Sequence, residues 1–130
     1  MYVLDTNTII YFFKGVGSVA VSLFSKSPKE IGIPSVVLYE LEVGIAKSSS
    51  PKKRMKQLED LTSIVNILNF TEKEAKITAM IRSNLEKRGI PIGPFDTLIA
   101  GTALARQGIL VTHNRKEFNR IKNLQIEDWY

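Results

Sequence analysis

The sequence predicts a layered α/β domain with a mainly parallel sheet. Three observations carry this expectation. Short apolar or β-branched runs alternate along the chain with longer stretches of helical periodicity. Residues that favour helix starts stand where those runs end, as in Asp5-Thr6-Asn7 and Thr112-His113-Asn114. The 130 residues fit one domain, 1–130, which no repeat, linker or low-complexity tract divides.

Tyr2-Val3-Leu4 is a short apolar strand ending at Asp5. Thr6 and Asn7 start a helix that continues over 8–14 and closes at Gly15, and a second helix covers 18–25. Residues 30–33 form a strand before Pro34. Ser35 caps a helix reaching about Lys47, with Val37, Leu38, Leu41 and Ile45 on one side. After the Ser48-Ser49-Ser50 turn, Pro51 opens a helix carrying Met55, Leu58 and Leu61. Residues 64–68 read as a strand. Thr71 and Glu74 match a capping box before a long helix, which carries Ile77, Met80, Ile81 and Leu85 and ends at Gly89. Pro94 suits the first turn of a helix over 94–107, stopped by Gly108. Residues 109–111 are a buried strand ending at Thr112; Asn114 and Glu117 pattern as cap and third residue of a short helix to Ile121. Residues 126–129 are a last strand or a docked tail.

Composition narrows the chemistry. There is no Cys, which excludes disulfides, thiolate metal sites and Cys nucleophiles. There is one His, His113, which excludes metal-free chemistry by a His pair. An enzyme of this composition works with carboxylates, hydroxyls, amines or a metal held by oxygen. The longest notable apolar run, 9–13, is far short of a membrane span. Asp5 interrupts the N-terminus before a signal-like apolar core, so the expected location is cytoplasmic. The net charge of +5 is compatible with a polyanionic substrate.

In parallel sheets, ligands bind beyond the carboxyl ends of the strands, so acids at those ends are the candidates. Asp5 follows the first strand. Position alone does not separate a site carboxylate from a helix cap at Asp5 or Thr6, but the apolar lead-in Val3-Leu4 buries the strand up to the carboxylate. Asp96 lies in the first turn of the apolar helix Leu98-Ile99-Ala100, where the helix dipole also favours an acid. Glu40 and Glu42 are ~200° apart around one helix axis and do not share a pocket. Glu40 lies beside the apolar stripe, one turn before Gly44, and Glu42 on the polar side. Asn114 and Glu117 follow the strand 109–111. Carboxylates gathered in this way stay ionised only around a cation, and all-oxygen donors favour Mg²⁺, with Mn²⁺ also suited.

Leu4-Asp5-Thr6-Asn7, Tyr39-Glu40-Leu41 with Gly44, Gly93-Pro94-Phe95-Asp96-Thr97-Leu98-Ile99-Ala100, Thr112-His113-Asn114-Arg115-Lys116-Glu117-Phe118 and Glu127-Asp128-Trp129 occur in this order. Together they resemble the PIN-domain family, specifically the VapC-type toxin ribonucleases of toxin–antitoxin pairs. The resemblance spans essentially the whole chain. It implies a three-layer α/β/α fold and a Mg²⁺-dependent endoribonuclease acting on tRNA or rRNA. It implies Asp5, Asp96 and Glu40 as metal ligands. The family's fourth acidic place falls at Asn114, an amide here, so either Glu117 supplies the missing charge or Asn114 places a water. It further suggests a homodimer and a VapB-like antitoxin covering the active groove.

Thr6, Asn7, Thr112, Arg115 and Lys116 are the candidates for positioning RNA, since Arg115 and Lys116 follow a strand end that should face the site. The Lys52-Lys53-Arg54 and Arg82-Lys87-Arg88 groups read as solvated helix faces. Two rivals stand beside this reading. Asp5-Thr6-Asn7-Thr8 resembles the start of haloacid-dehalogenase-like phosphatases, but the second Asp is Asn7 and no downstream Lys motif matches. A non-catalytic PIN-like RNA- or protein-binding module draws its support from Asn114.

Overall fold

The computed structural model describes all residues from Met1 to Tyr130. Five strands alternate with seven α-helices: β1 (Tyr2–Leu4), α1 (Thr6–Lys14), α2 (Val19–Phe24), β2 (Ile31–Pro34), α3 (Ser35–Ala46), α4 (Pro51–Thr62), β3 (Asn66–Leu68), α5 (Glu72–Lys87), α6 (Pro94–Ala105), β4 (Ile109–Val111), α7 (Arg115–Phe118) and β5 (Gln125–Glu127). A 3-10 turn at Pro28–Glu30 leads into β2.

The strands form one sheet in the order β3-β2-β1-β4-β5, and every pairing is parallel. The chain therefore leaves β1 toward one edge, then crosses back to build the other side. Right-handed crossovers place the helices of the first excursion, α1–α4, on one face and those of the return, α5–α7, on the other. The result is the expected three-layer α/β/α sandwich. Its order reverses between β1 and β4, where Leu4 sits opposite Val111. A crevice opens at such a switch point beyond the carboxyl ends of the strands. Asp5 and Thr112 are the next residues on the two strands.

One apolar cluster joins the layers: Val3, Leu4, Ile33, Leu110 and Val111 of the sheet pack with Val37 and Leu41 on one side and Ile99 and Ala103 on the other. The tightest helix contact is between α5 and α6. A Cβ added at Gly101 would stand 1.8 Å from Thr78 Oγ1 and 3.1 Å from Thr78 Cα. Only glycine allows this approach.

Strand β2 is shifted by one residue from the expected 30–33 and α2 is one residue shorter at each end; the other differences at element ends have local reasons. Pro34, not Ser35, is the N-cap of α3, and Ser35 is already helical. Helix α6 stops at Ala105 rather than Gln107, whose φ of 52° is left-handed. Strand β3 starts at Asn66, because Ile64 lies in the preceding turn and is 58% exposed. Helix α7 ends at Phe118 instead of Ile121, and Asn114 makes no side-chain cap: its amide turns to Glu117. The last strand is Gln125–Glu127, and Trp129 beyond it is a buried tail residue whose ring lies 5.5 Å from that of Tyr2. The Thr71–Glu74 capping box forms as expected, and its hydrogen bonds hold the Glu74 carboxyl below the usual range.

Candidate active site

Asp5 is buried at the carboxyl end of β1. Its amide donates to Val111 O at 3.2 Å, which continues the β1–β4 ladder by one step. Its Oδ1 accepts from Thr8 N at 2.9 Å, so Asp5 is the N-cap of α1. The Thr8 hydroxyl donates to Val111 O at 3.1 Å. The Thr112 side chain faces the Asp5 carboxylate and eases its charge, and its hydroxyl oxygen accepts from Asn114 N at 3.0 Å. Burial raises the Asp5 carboxyl above its ordinary value, the Thr112 and Thr8 bonds oppose that rise, and the charge of Asp128 adds to it. Asp5 therefore caps α1 while its carboxylate stays the candidate site group at the end of β1.

Glu40 comes from α3 and is half-buried, whereas Glu42 is exposed, in line with their angular separation. Thr6, in the first turn of α1, donates its hydroxyl to Glu40 Oε1 at 2.6 Å. A cavity of about 380 Å³ opens beside Glu40, lined also by Lys14, Ser48, Ser49 and Arg54. The Arg54 guanidinium is partly committed, since it donates to Phe13 O at 3.1 Å and to Gln57 Oε1 at 2.8 Å.

Asp96 lies in the first turn of α6, half-buried. Its carboxyl is pushed up to about 6, first by burial and then by the negative charges of Glu117, Asp5 and Glu40. Four acids that are far apart in sequence therefore share one field. Asn114 Nδ2 donates to Glu117 Oε2 at 3.1 Å, so the amide holds the carboxylate next to it. Arg115 and Lys116 are exposed at the start of α7, and Asn7 is exposed as well.

No group of three or more Asp, Glu or His side chains is arranged to hold one ion directly. The donor set nonetheless suits a hard divalent cation. Mg²⁺ takes one or two carboxylates and completes its shell with water, so it tolerates acids set back from one another. Burial is the largest cause of the raised Asp96 carboxyl, and the further rise from Glu117, Asp5 and Glu40 is a negative field that a cation would relieve.

Sequence reasoning passed over Asp128. It follows β5 at the same rim, its Oδ2 lies 2.9 Å from His113 Nδ1, and its charge reaches Asp5. The strand-end rule that found Asp5 would have found it had β5 been placed two residues earlier. Lys14, at the last turn of α1, was likewise missed as a neighbour of Glu40.

Comparison with known proteins identifies the family. The PIN domain family model matches residues 2–124. The chain is 37% identical to the tRNA(fMet)-specific endonuclease VapC of Shigella flexneri, covering 98% of this chain and 97% of that protein. It is 38% identical to Ribonuclease VapC2 of Rickettsia felis, over 99% and 98% of the two chains. The crystal structure of VapBC2 from Rickettsia felis bound to a DNA fragment from its promoter matches with a TM-score of 0.92 and 37% identity, covering 99% of this chain and 98% of that one. The DNA-bound VapBC of Salmonella typhimurium matches with a TM-score of 0.92 and 36% identity, over the same shares of the two chains. By fold and by sequence, the chain belongs to the PIN-domain family, among its VapC ribonucleases.

Proposed function

We propose that this protein is the Mg²⁺-dependent endoribonuclease toxin of a VapBC-type pair, cleaving a structured RNA in the cytoplasm. The observation that carries the reading is the charge cluster around Asp96, whose carboxyl is held near 6 by burial and by Glu117, Asp5 and Glu40. A surface built to bind RNA without cutting it has little reason to gather negative charge, which weighs against the non-catalytic module.

In this reading Asp5, Glu40 and Asp96 would hold the ion, in part through its water shell, and Glu117 would fill the fourth acidic place, because its charge is the first that Asp96 senses. Mn²⁺ substitutes for Mg²⁺ at such oxygen donors. When bound, the ion neutralises the carboxylates, eases deprotonation of water and stabilises charge on the phosphate. The chain's own residues supply the order. Thr6 fixes Glu40, Thr8 fixes Asp5, and Asn114 fixes Glu117. Arg115 and Lys116, exposed at the start of α7, would contact RNA phosphates and position the strand without selecting a base. The products carry a 5′-phosphate and a 3′-hydroxyl.

The relatives' names support tRNA as substrate, and their structures as toxin–antitoxin complexes support a VapB-like antitoxin as partner. A homodimer is the proposed assembly. The test is induced expression of wild type and Asp5→Ala with mapping of RNA 5′ ends. New 5′-phosphate ends at a few sites, absent with Asp5→Ala, support the reading. Identical end profiles from the two proteins overturn it.

A further inference from the structure

The site's rim carries a feature that metal-assisted hydrolysis does not use. His113, one residue beyond Thr112, stacks on Tyr130 with ring centroids 4.3 Å apart and planes at 25°. Tyr11 of α1 meets the Tyr130 ring edge-on at 4.9 Å and the His113 ring edge-on at 6.0 Å. Asp128 clamps the pair: Oδ2 lies 2.9 Å from His113 Nδ1, and Oδ1 accepts from Tyr130 N at 2.9 Å. Tyr130 O accepts from Ser18 N at 2.8 Å, which ties the tail to the α1–α2 loop. Gly17 makes room there. Its φ is +66°, and a Cβ would stand 2.8 Å from Tyr130 O.

These rings are fixed yet open. The His113 side chain is 47% exposed and Tyr130 is 49% exposed. A stacked pair needed only to pin the tail would bury its faces, as Trp129 does at 6% exposure. The placement is specific as well. Thr112 on one side of His113 faces the Asp5 carboxylate, and Asn114 on the other bonds Glu117. Arg115 and Lys116 follow, exposed and cationic. A flat aromatic surface, cations beside it and the acidic pocket next to it match the needs of a single-stranded nucleotide: stacking for the base and positive charge for the phosphate. The phosphate-binding cations favour RNA over a protein segment as the occupant.

We propose that His113 and Tyr130, held by Asp128 and Tyr11, form a platform on which an unpaired base beside the scissile phosphate stacks. This inference rests on the ribonuclease reading and adds to it a residue-level account of how RNA is positioned. It makes His113 a positioning residue for substrate, with no part in proton transfer.

The test uses the full chain and an initiator tRNA transcript, together with versions carrying one abasic nucleotide at each unpaired position. With wild type, one abasic position next to the cut lowers kcat/KM by about tenfold, the size of one stacking contact. With His113→Ala the intact RNA loses about the same factor, mainly in KM, and that abasic position costs nothing further. His113→Phe, which keeps a flat ring without the Asp128 bond, recovers most of the loss. An abasic profile identical in wild type and His113→Ala overturns the platform while leaving the ribonuclease standing. Equal damage from Phe and Ala at this position also overturns it, assigning His113 to loop structure instead. Absence of wild-type cleavage overturns the ribonuclease reading and the platform with it.

Discussion

The Thr6 hydroxyl donates to Glu40 Oε1 at 2.6 Å, joining the first turn of α1 to the middle of α3. Thr6 follows the Asp5 cap directly, so one dipeptide places one carboxylate and steers another. A partner that orients a site carboxylate typically changes activity by about 10–100-fold when removed. Thr6→Val is expected to lower kcat by roughly tenfold while thermal stability shifts little, because the bond is only part-buried. Steady-state kinetics beside a thermal melt read both. A large loss of stability with no change in kcat would make the bond architectural.

Asp96 gives a pH-dependent expectation. Its carboxyl is raised to about 6 from an ordinary 3.8. The folded state then binds this proton more tightly than the unfolded chain, so in metal-free protein stability falls as pH rises from about 4 to about 6. Asp96→Asn removes the repelling charge. It should stabilise the metal-free fold at pH 7 by about 1 kcal/mol, a figure reduced for solvent screening of a half-exposed group, and abolish cleavage. Melts at pH 4.5 and 7 with chelator present check the sign. A variant less stable than wild type at pH 7 would show that the cluster is not strained.

The fourth acidic place can be decided by paired substitutions. Glu117 is charged and acts on Asp96, whereas Asn114 holds Glu117. Glu117→Gln is expected to cost cleavage about a hundredfold, and Asn114→Ala about tenfold, consistent with ligand and supporting roles. The reverse ranking would return the fourth position to Asn114, with a bridging water in place of the acid.

Much of this was legible in the sequence because the fold advertises it locally. Apolar triplets followed by Asp or Thr mark β1 and β4, and a Gly-Pro before Asp96 marks the start of α6. What was not legible depends on contacts between distant segments. Asn114 has the sequence of a cap, yet its amide is drawn to Glu117 instead of the helix amides. The strand-like Ile64 is left exposed because β3 pairs only from Asn66 onward. Asp128 follows a strand that ends two residues earlier than expected, and it joins the rim because β5 lies beside β4.

The α5–α6 contact yields a stability expectation independent of function. Gly101→Ala should destabilise by about 2–3 kcal/mol, since the added Cβ meets Thr78 Oγ1 at 1.8 Å and its Cβ at 2.8 Å. Thr78 Oγ1 is buried without a hydrogen-bond partner, so Thr78→Ala alone should be near neutral. The double variant should recover part of the loss, because the 2.8 Å contact remains. Urea unfolding of the four proteins measures the coupling, and strict additivity would mean the helices separate to absorb the change.

The central claim is that the Asp5, Glu40, Asp96 and Glu117 cluster is a divalent-metal site that hydrolyses RNA. Its most direct measurement is the initial rate of stem-loop RNA cleavage by chelator-stripped protein as Mg²⁺ or Mn²⁺ is added back, for wild type and Asp96→Asn. The account expects no cleavage in chelator, saturable recovery with either ion for wild type, and none for Asp96→Asn at any concentration. Cleavage that persists in chelator, or that survives Asp96→Asn, would contradict it.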